Sequence, residues 1–554
     1  NATLAPSLPP RGRVGFFCQS GAFGIALLAA AAERGLGLSG FVSAGNRADV
    51  SGNDLLQHWR SDPATDVVLL YLETFGNPRK FARVARQLAR HKPVVAVASQ
   101  GSRGAGSEAT ALFAQHGVIR VGAVGELFDV GLLLACQPLP GGNRVGVVGN
   151  STALVRLAVE AALAGGMRMP EHYPVNVGPS APPSAFASAL REAVADDETD
   201  AIVVAFVPQV GGSSSGYADV LVEEAAGADK PVVATFMAGG ASAVSAVPAA
   251  MDTAAERGAV PAYGSVEEAV RALSRVAEYA AWRREPAGVV PDVPGVDPDA
   301  AREAIAARLA SAEEPVLADG EAAPLLSAYG IHVVPSAAAR CADEAAEAAE
   351  RFGYPVALKV SAAALRGRLD LGAVRLELRD AAEVRRAYQA IAERFGADVA
   401  VLVQPMRPPG IACRVRLAQD RAFGPVVGFG LAGATAELLG DQSWRAAPLT
   451  DVDAARLVRD SRGAPMLFGY QGGEPARAPS PGRDASRESA SSVDAAALED
   501  LVLRVGLLAD EQPQARALEL NPVLAAPTGL AVLHASLTLG PPETRPDTGP
   551  RRLR

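Results

Sequence analysis

The chain has 554 residues, 49% hydrophobic and 20% charged, with a formal net charge of −9. That length exceeds one hydrophobic core and predicts three or four soluble domains, while the acidic balance, its basic residues dispersed apart from a terminal RRLR, excludes the electrostatic footprint of nucleic-acid binding. No apolar run reaches the roughly 18 residues of a membrane helix and no signal peptide opens the sequence, so a cytoplasmic protein with no membrane partner is expected.

The first region alternates strand and helix patterns. GRVGFF, centred on 13–17, is a strand, and FGIALLAAAAERG (23–35) a helix. VVLLYLE (67–73) reads as a buried strand. Phe81, Val84, Ala85 and Leu88 then mark one helix face, and PVVAVAS (93–99) is the next strand. Such alternation predicts a parallel sheet covered by helices on both faces. After the turn-rich QPLPGGN (137–143), the strands RVGVVGN (144–150), AIVVAFV (201–207) and PVVATFM (231–237) predict a second doubly wound unit ending near Trp282. The predicted boundaries are 11–138 and 142–283.

Residues 284–312, with the proline-rich PAGVVPDVPGVDPDA, read as a linker. An α+β domain follows over 313–540, with strands VALKVS (356–361), VRLEL (374–378) and AVLVQPM (400–406). The polar 472–494 segment reads as a flexible insertion and 541–554 as a disordered tail. Cys18, Cys136, Cys341 and Cys413 are far apart and form no CxxC, which predicts buried or idle thiols in a reducing compartment. The chain opens at Asn1 without methionine, as a trimmed or processed sequence would.

Four places could carry chemistry. CQSGAFG (18–24) joins a strand to a helix, and its small residues leave backbone N–H groups at a helix N-terminus, where phosphate binds; an ordinary tight turn explains the same pattern. Glu73 ends a strand where ligands meet parallel sheets, and is either an orienting carboxylate or the solvated start of a loop. Lys359, inside the apolar YPVALKV, calls for a phosphate or carboxylate partner, or else lies on an edge strand and reaches water. In ALELNPV (517–523), Glu519 and Asn521 share one strand face before a proline stop, as hard oxygen ligands of Mg²⁺ would; a surface strand end is the alternative. The histidines, His58, His91, His116, His172, His332 and His534, form no HxxxH or HxH pair and read as structural or exposed.

Taken in order, several segments resemble the NDP-forming acyl-CoA synthetases, the family of ADP-forming acetate–CoA ligases. They are QSGAFG, FVSAGNRADV (41–50), the LLQHWRSDPATDVVLLYLETFGNPRKFARVAR run (55–86), LFAQHGVIRV (112–121), GAVPAYGSVEEAVRAL (258–273), YGIHVVPS, YPVALKV, LRGRLDLGAVRLEL, FGPVVGFGLAG and LELNPV. The resemblance implies an α/β fold: two flavodoxin-like domains of succinyl-CoA-ligase type, then an ATP-grasp domain. It implies ligation of a carboxylic acid to CoA, coupled to ATP/ADP and Mg²⁺ through an acyl phosphate and a phosphohistidine. By resemblance, Gln19, Ser20, Gly21 and Ala22 cradle the phosphohistidine and Glu73 hydrogen-bonds it. Lys359, Arg368, Gly372 and Gln404 would bind ATP, and Glu519 and Asn521 the metal. Partners would be the nucleotide, the acid or acyl-CoA, a CoA-binding domain or subunit, and further copies in an oligomer.

The departures are specific. The family's Ser-His-Thr-Gly-type segment is missing, since SRGAGSEA runs directly into TALFAQHGVIRV. His116 falls on an ordinary helix position and reads as a bystander. Gly367 and Arg368 replace a His-Lys pair, the following loop reads Gly372-Ala373-Val374, and His534 replaces a metal-binding aspartate. The CoA-binding Rossmann fingerprint is absent from these residues. The Ala/Arg-rich wording resembles a branch fused to GNAT lysine acetyltransferases, so the alternative is a degenerate region that senses nucleotide or acyl-CoA for a GNAT partner. A structural scaffold is a third reading.

Overall fold

The computed structural model describes residues 5, 8–44, 50–73, 77–98, 107–207, 215–236, 258–312, 315–362, 371–420, 423–470 and 493–542. The chain divides into two compact units, the first ending at Pro286 and the second beginning at Ala287.

In the first unit, strands β1 (Arg11–Cys18), β2 (Leu38–Ser43), β3 (Val67–Leu72), β4 (Val94–Ala98) and β5 (Val118–Arg120) form a parallel sheet in the order β2-β1-β3-β4-β5. Val14, Phe16, Phe17, Val68, Leu69, Leu70 and Val95 are fully buried, because helices cover both faces of a parallel sheet and its strands become continuous apolar runs. The Phe81, Val84, Ala85 and Leu88 face is buried on the helix Pro78–Ala89. A second parallel sheet, β6 (Val145–Gly149), β7 (Val175–Asn176), β8 (Ala201–Phe206), β9 (Val232–Phe236) and β10 (Ala262–Tyr263), has the order β10-β9-β8-β6-β7. Counted within each sheet, both orders are 2-1-3-4-5. That flavodoxin-like winding reverses between its first and third strands, where such folds bind ligands.

One helix, Val266–Arg284, serves both sheets. It packs on helices Val124–Cys136 and Thr152–Ala164. The Tyr279 hydroxyl donates to the Ala89 carbonyl at 2.6 Å, and the Arg90 guanidinium stacks over the Trp282 ring at 4.2 Å.

The second unit is antiparallel. Strands β12 (Ala337–Ala339), β13 (Val356–Val360), β14 (Val374–Leu378) and β15 (Val401–Pro405) pair as β12-β15-β13-β14. The larger sheet holds β11 (Val316–Ala318), β16 (Ile411–Asp420), β17 (Gly424–Leu431), β18 (Ser443–Ala446), β19 (Ala515–Ala525) and β21 (Ala535–Leu539) in the order β11-β21-β19-β16-β17-β18, with β20 (Leu530–Val532) on β19. Strand β16 alternates: Cys413, Val415 and Leu417 are buried while Arg414 and Arg416 sit on the other face, the period-2 signature of a sheet with one apolar side. Leu498, Val502 and Val505 of helix Ala495–Glu511 fill that apolar side.

Three boundary expectations change. Within 284–312, residues Pro298–Leu309 form a helix whose Ala301 and Ile305 enter the core of the second unit. The prolines that suggested a linker include Pro298 at the first helical turn, where its missing N–H costs nothing, and the Asp297 side chain caps that turn by accepting from Ala300 N at 3.0 Å. The proposed insertion ends earlier than 494, since Val493 is 7% exposed and packs in that core; residues 471–492, like 543–554 of the tail, lie outside the described residues. Strand β19 continues through Pro522 to Ala525, so LELNPV is not a strand end. Among the described residues no helix is long and apolar enough to cross a membrane.

Candidate functional site

Gln19 follows β1 and Glu73 follows β3, so both stand at the carboxyl edge of the first sheet, at its topological switch point. Gln19, 5% exposed, uses its backbone N–H to reach the Tyr71 carbonyl at 3.2 Å, and its side-chain oxygen accepts from Glu73 N at 2.7 Å. The amide thereby pins the start of the Glu73 loop while the Glu73 side chain stays exposed. Ser20 is extended at the N-terminus of helix Gly21–Glu33, and its hydroxyl makes no capping bond. The first-turn N–H groups at Gly21 and Ala22 have no carbonyl of their own helix to bond, and with the helix dipole they favour an anion. A Cβ added at Gly21 would meet nothing within 4 Å. Burial, with Glu73 nearby, raises the Cys18 thiol above its ordinary range, which leaves it protonated and unsuited as a nucleophile.

The second sheet repeats this device, and sequence reading missed it. Asn150 follows β6 and exchanges two hydrogen bonds with Val207 after β8: Nδ2 donates to its carbonyl and Oδ1 accepts from its N–H, each at 2.8 Å. Ser151, like Ser20, is extended with no capping bond. The signal was available in the shared order of amide, serine and helix in CQSGA and GNSTA.

His116 is 5% exposed, and its Nδ1 lies 2.7 Å from the Leu112 carbonyl. The ring is folded back onto the last turn of the helix that precedes it, Ser107–Gln115. Residues 99–106, which include most of the glycine-rich run before it, lie outside the described residues.

In the second unit Lys359 and Gln404 are linked to Asn521 and Glu519 through hydrogen bonds and the Leu533–His534 backbone. Strand β13 lies between β15 and β14, so Lys359 is not on an edge. Its Nζ donates to Gln404 Oε1 at 2.6 Å. Gln404, 3% exposed, is fixed in turn: its Nε2 donates to the carbonyls of Val334 at 3.0 Å and Leu533 at 2.9 Å. The next residue, His534, accepts at its carbonyl from Asn521 N at 3.1 Å. Asn521 Nδ2 donates to Glu519 Oε1 at 3.1 Å. Gly372, with φ of 67°, makes the turn that enters β14, a backbone conformation glycine adopts without strain. Arg368 lies outside the described residues.

The two residues expected to hold metal are engaged with protein partners in this structure. Glu519 and Asn521 do share one face, but the Glu519 oxygen that accepts from Asn521 also holds Arg414 Nη2 at 2.7 Å. The ring of His534, which the resemblance sets at a metal-ligand position, pairs through Nδ1 with Asp319 Oδ1 at 2.5 Å. Among the described residues no group of three His, Cys, Asp or Glu side chains could hold a metal ion. A carboxylate already neutralised by a guanidinium is a poor ligand for a hard dication. These donors do not fit bound Mg²⁺. Sequence reading missed Arg414 because a cation on a strand face has no motif; its partner comes from β19, about a hundred residues later.

Two family models match this architecture: the succinyl-CoA ligase like flavodoxin domain over residues 11–134 and the ATP-grasp domain over residues 308–539. The chain is by class an ATP-grasp acid–CoA ligase relative. It belongs to the family of ADP-forming acetate–CoA ligases: acetate–CoA ligase [ADP-forming] I of Archaeoglobus fulgidus is 30% identical, over 98% of this chain and 80% of that protein. The separate α and β subunits of the Pyrococcus furiosus acetate–CoA ligase [ADP-forming] I match as well. They are 29% identical over 51% of this chain and 67% of the α subunit, and 32% identical over 42% of this chain and 94% of the β subunit. These relatives are acid–CoA ligases, and they give no support to the regulatory, GNAT-linked alternative.

Proposed function

We propose that the chain binds adenine nucleotide at the Lys359–Gln404 junction as the ATP-grasp part of an acid–CoA ligase, and that its own residues supply no phosphohistidine relay. The observation that carries the nucleotide reading is the fixed amide of Gln404: both carbonyl contacts hold its Nε2, which turns Oε1 to Lys359 and presents the ammonium from the middle of a sheet. A lysine held there serves as counter-charge for a nucleotide's phosphates. Ligases of this family use ATP or ADP, Mg²⁺ and CoA, so the acid and CoA are the remaining substrates, and the split subunits of relatives fit a separate CoA-binding partner.

In the first unit, the Gln19–Ala22 turn and Glu73 are suited to receive a phosphoryl group: N–H donors and a helix N-terminus would bind its oxygens, and the Glu73 carboxylate would accept from an imidazole N–H. The stretch 102–110, where the resemblance puts the phosphorylated histidine, contains no histidine, and the His116 ring is engaged with the helix that precedes it. A complete ligation cycle then needs a histidine from outside these residues. The test is calorimetric titration of ATP and ADP into the full chain and into Lys359→Ala. Binding that falls by about tenfold or more in the variant supports the reading; equal affinity in both overturns it.

A further inference from the structure

Strand β16 puts two arginines, Arg414 and Arg416, on the face of the larger sheet that carries Glu519 and Asn521. Arg416 lies with its guanidinium 5.6 Å from the Trp444 ring centre and pairs in register with Glu519. Arg414 is well enclosed, with only 12% of its side chain exposed. One of its terminal nitrogens is 2.7 Å from Glu519 Oε1 and the other 3.4 Å from Glu437 Oε1. Among the described residues its Nε is buried with no hydrogen-bond partner. Such an unsatisfied donor costs free energy, so the guanidinium is held in place by its carboxylates despite that penalty.

We propose that Arg414 is a built-in cation that takes the place of a divalent metal at Glu519, so that this chain binds a nucleoside polyphosphate without Mg²⁺. The proposal rests on the nucleotide reading above. The charge argument is direct. A metal at Glu519 would have to displace or share one carboxylate with a guanidinium that already neutralises it, in a partly enclosed site. Arg414 and Arg416 offset the charges of Glu519 and Glu437, so phosphate oxygens would meet a neutralised cluster with no ion to recruit, and a planar fork can bridge a carboxylate and a phosphate at once.

The experiment is titration of ATP into the full chain in excess EDTA and again in excess Mg²⁺, with Mn²⁺ binding followed by electron paramagnetic resonance in the presence of ADP. The wild type is expected to bind ATP with Kd values within about threefold in the two buffers, and to show no protein-dependent Mn²⁺ site. Arg414→Met should lose about tenfold or more in EDTA, recover with Mg²⁺, and gain a Mn²⁺ site; Arg414→Lys should behave as wild type. A wild type whose affinity drops about tenfold in EDTA overturns the proposal, and that measurement needs no variant to fold. ATP binding absent in both buffers overturns the nucleotide reading itself, and this inference with it.

Discussion

The ammonium of Lys359 and the side-chain oxygen of Gln404 lie 2.6 Å apart, and Gln404 is tied through its amide nitrogen to the carbonyls of Val334 and Leu533. The glutamine joins the smaller sheet to the loop before β21, so it is both a positioning residue and a structural clasp. Gln404→Glu replaces a neutral acceptor by a carboxylate beside Lys359 and forfeits the two donated bonds. ATP affinity should fall by about tenfold or more, because the carboxylate competes with phosphate for the ammonium and repels it. Gln404→Leu should leave two buried carbonyls without their partner and cost about 1–3 kcal/mol of stability, read from the urea midpoint of the second unit.

The switch point of the first sheet gives a contrasting pair. Gln19→Ala removes the acceptor of the Glu73 N–H from a buried position and should destabilise the chain by about 1–3 kcal/mol. Glu73→Gln changes an exposed side chain and should alter stability by less than about 0.5 kcal/mol. Thermal melts of both variants under one buffer check the difference. Equal melting temperatures would mean that the amide does not hold the loop.

Gly117, next to His116, has φ of 69°, and a Cβ there would lie 2.2 Å from the Trp282 ring. Trp282 is 8% exposed and stacked under Arg90, so it has little room to retreat. Gly117→Ala should therefore destabilise the first unit by about 2 kcal/mol or more, through overpacking and a left-handed backbone together. Chemical denaturation measures it.

Asp129 gives the pH dependence its sign. Burial is the leading cause that lifts its carboxyl to about 6, with Arg34 at 3.8 Å opposing the shift. A folded-state value above the unfolded one means that the group's stabilising contribution is complete below the ordinary carboxylate range and is lost as pH rises through about 6. Asp129→Asn should then raise the melting temperature at pH 8 by about 2 °C. At about pH 5 roughly half of that gain should remain, because the unfolded carboxyl is still ionised there, and it should vanish only below the ordinary carboxylate range. Melts of both proteins at the two pH values decide it.

Much of this was legible in the sequence, and for definite reasons. Parallel strands buried on both faces announce themselves as apolar runs, so β1, β3, β4, β6, β8 and β9 were each placed to within a residue or two. The Gln19–Ala22 turn and Lys359 could be singled out because small residues after a strand, and a cation within an apolar run, are local anomalies. What failed was non-local or ambiguous. Pro298 marks a helix start as readily as a linker, and only the core into which Ala301 and Ile305 pack distinguishes the two. The Glu519 and Asn521 spacing was read correctly as one face, yet nothing near it in sequence discloses Arg414, which arrives from the neighbouring strand. A metal site and a salt bridge look alike until the partner strand is known.

The central claim is that nucleotide is bound while no histidine of this chain carries phosphate. The most direct measurement incubates the full chain with γ-labelled ATP and Mg²⁺, follows bound nucleotide, and quantifies acid-labile, base-stable phosphate on the protein. Bound nucleotide with no such label is the expected result. Label on a histidine that disappears in His116→Ala would contradict it, and would place the phosphoryl carrier on the ring now seen folded against Leu112.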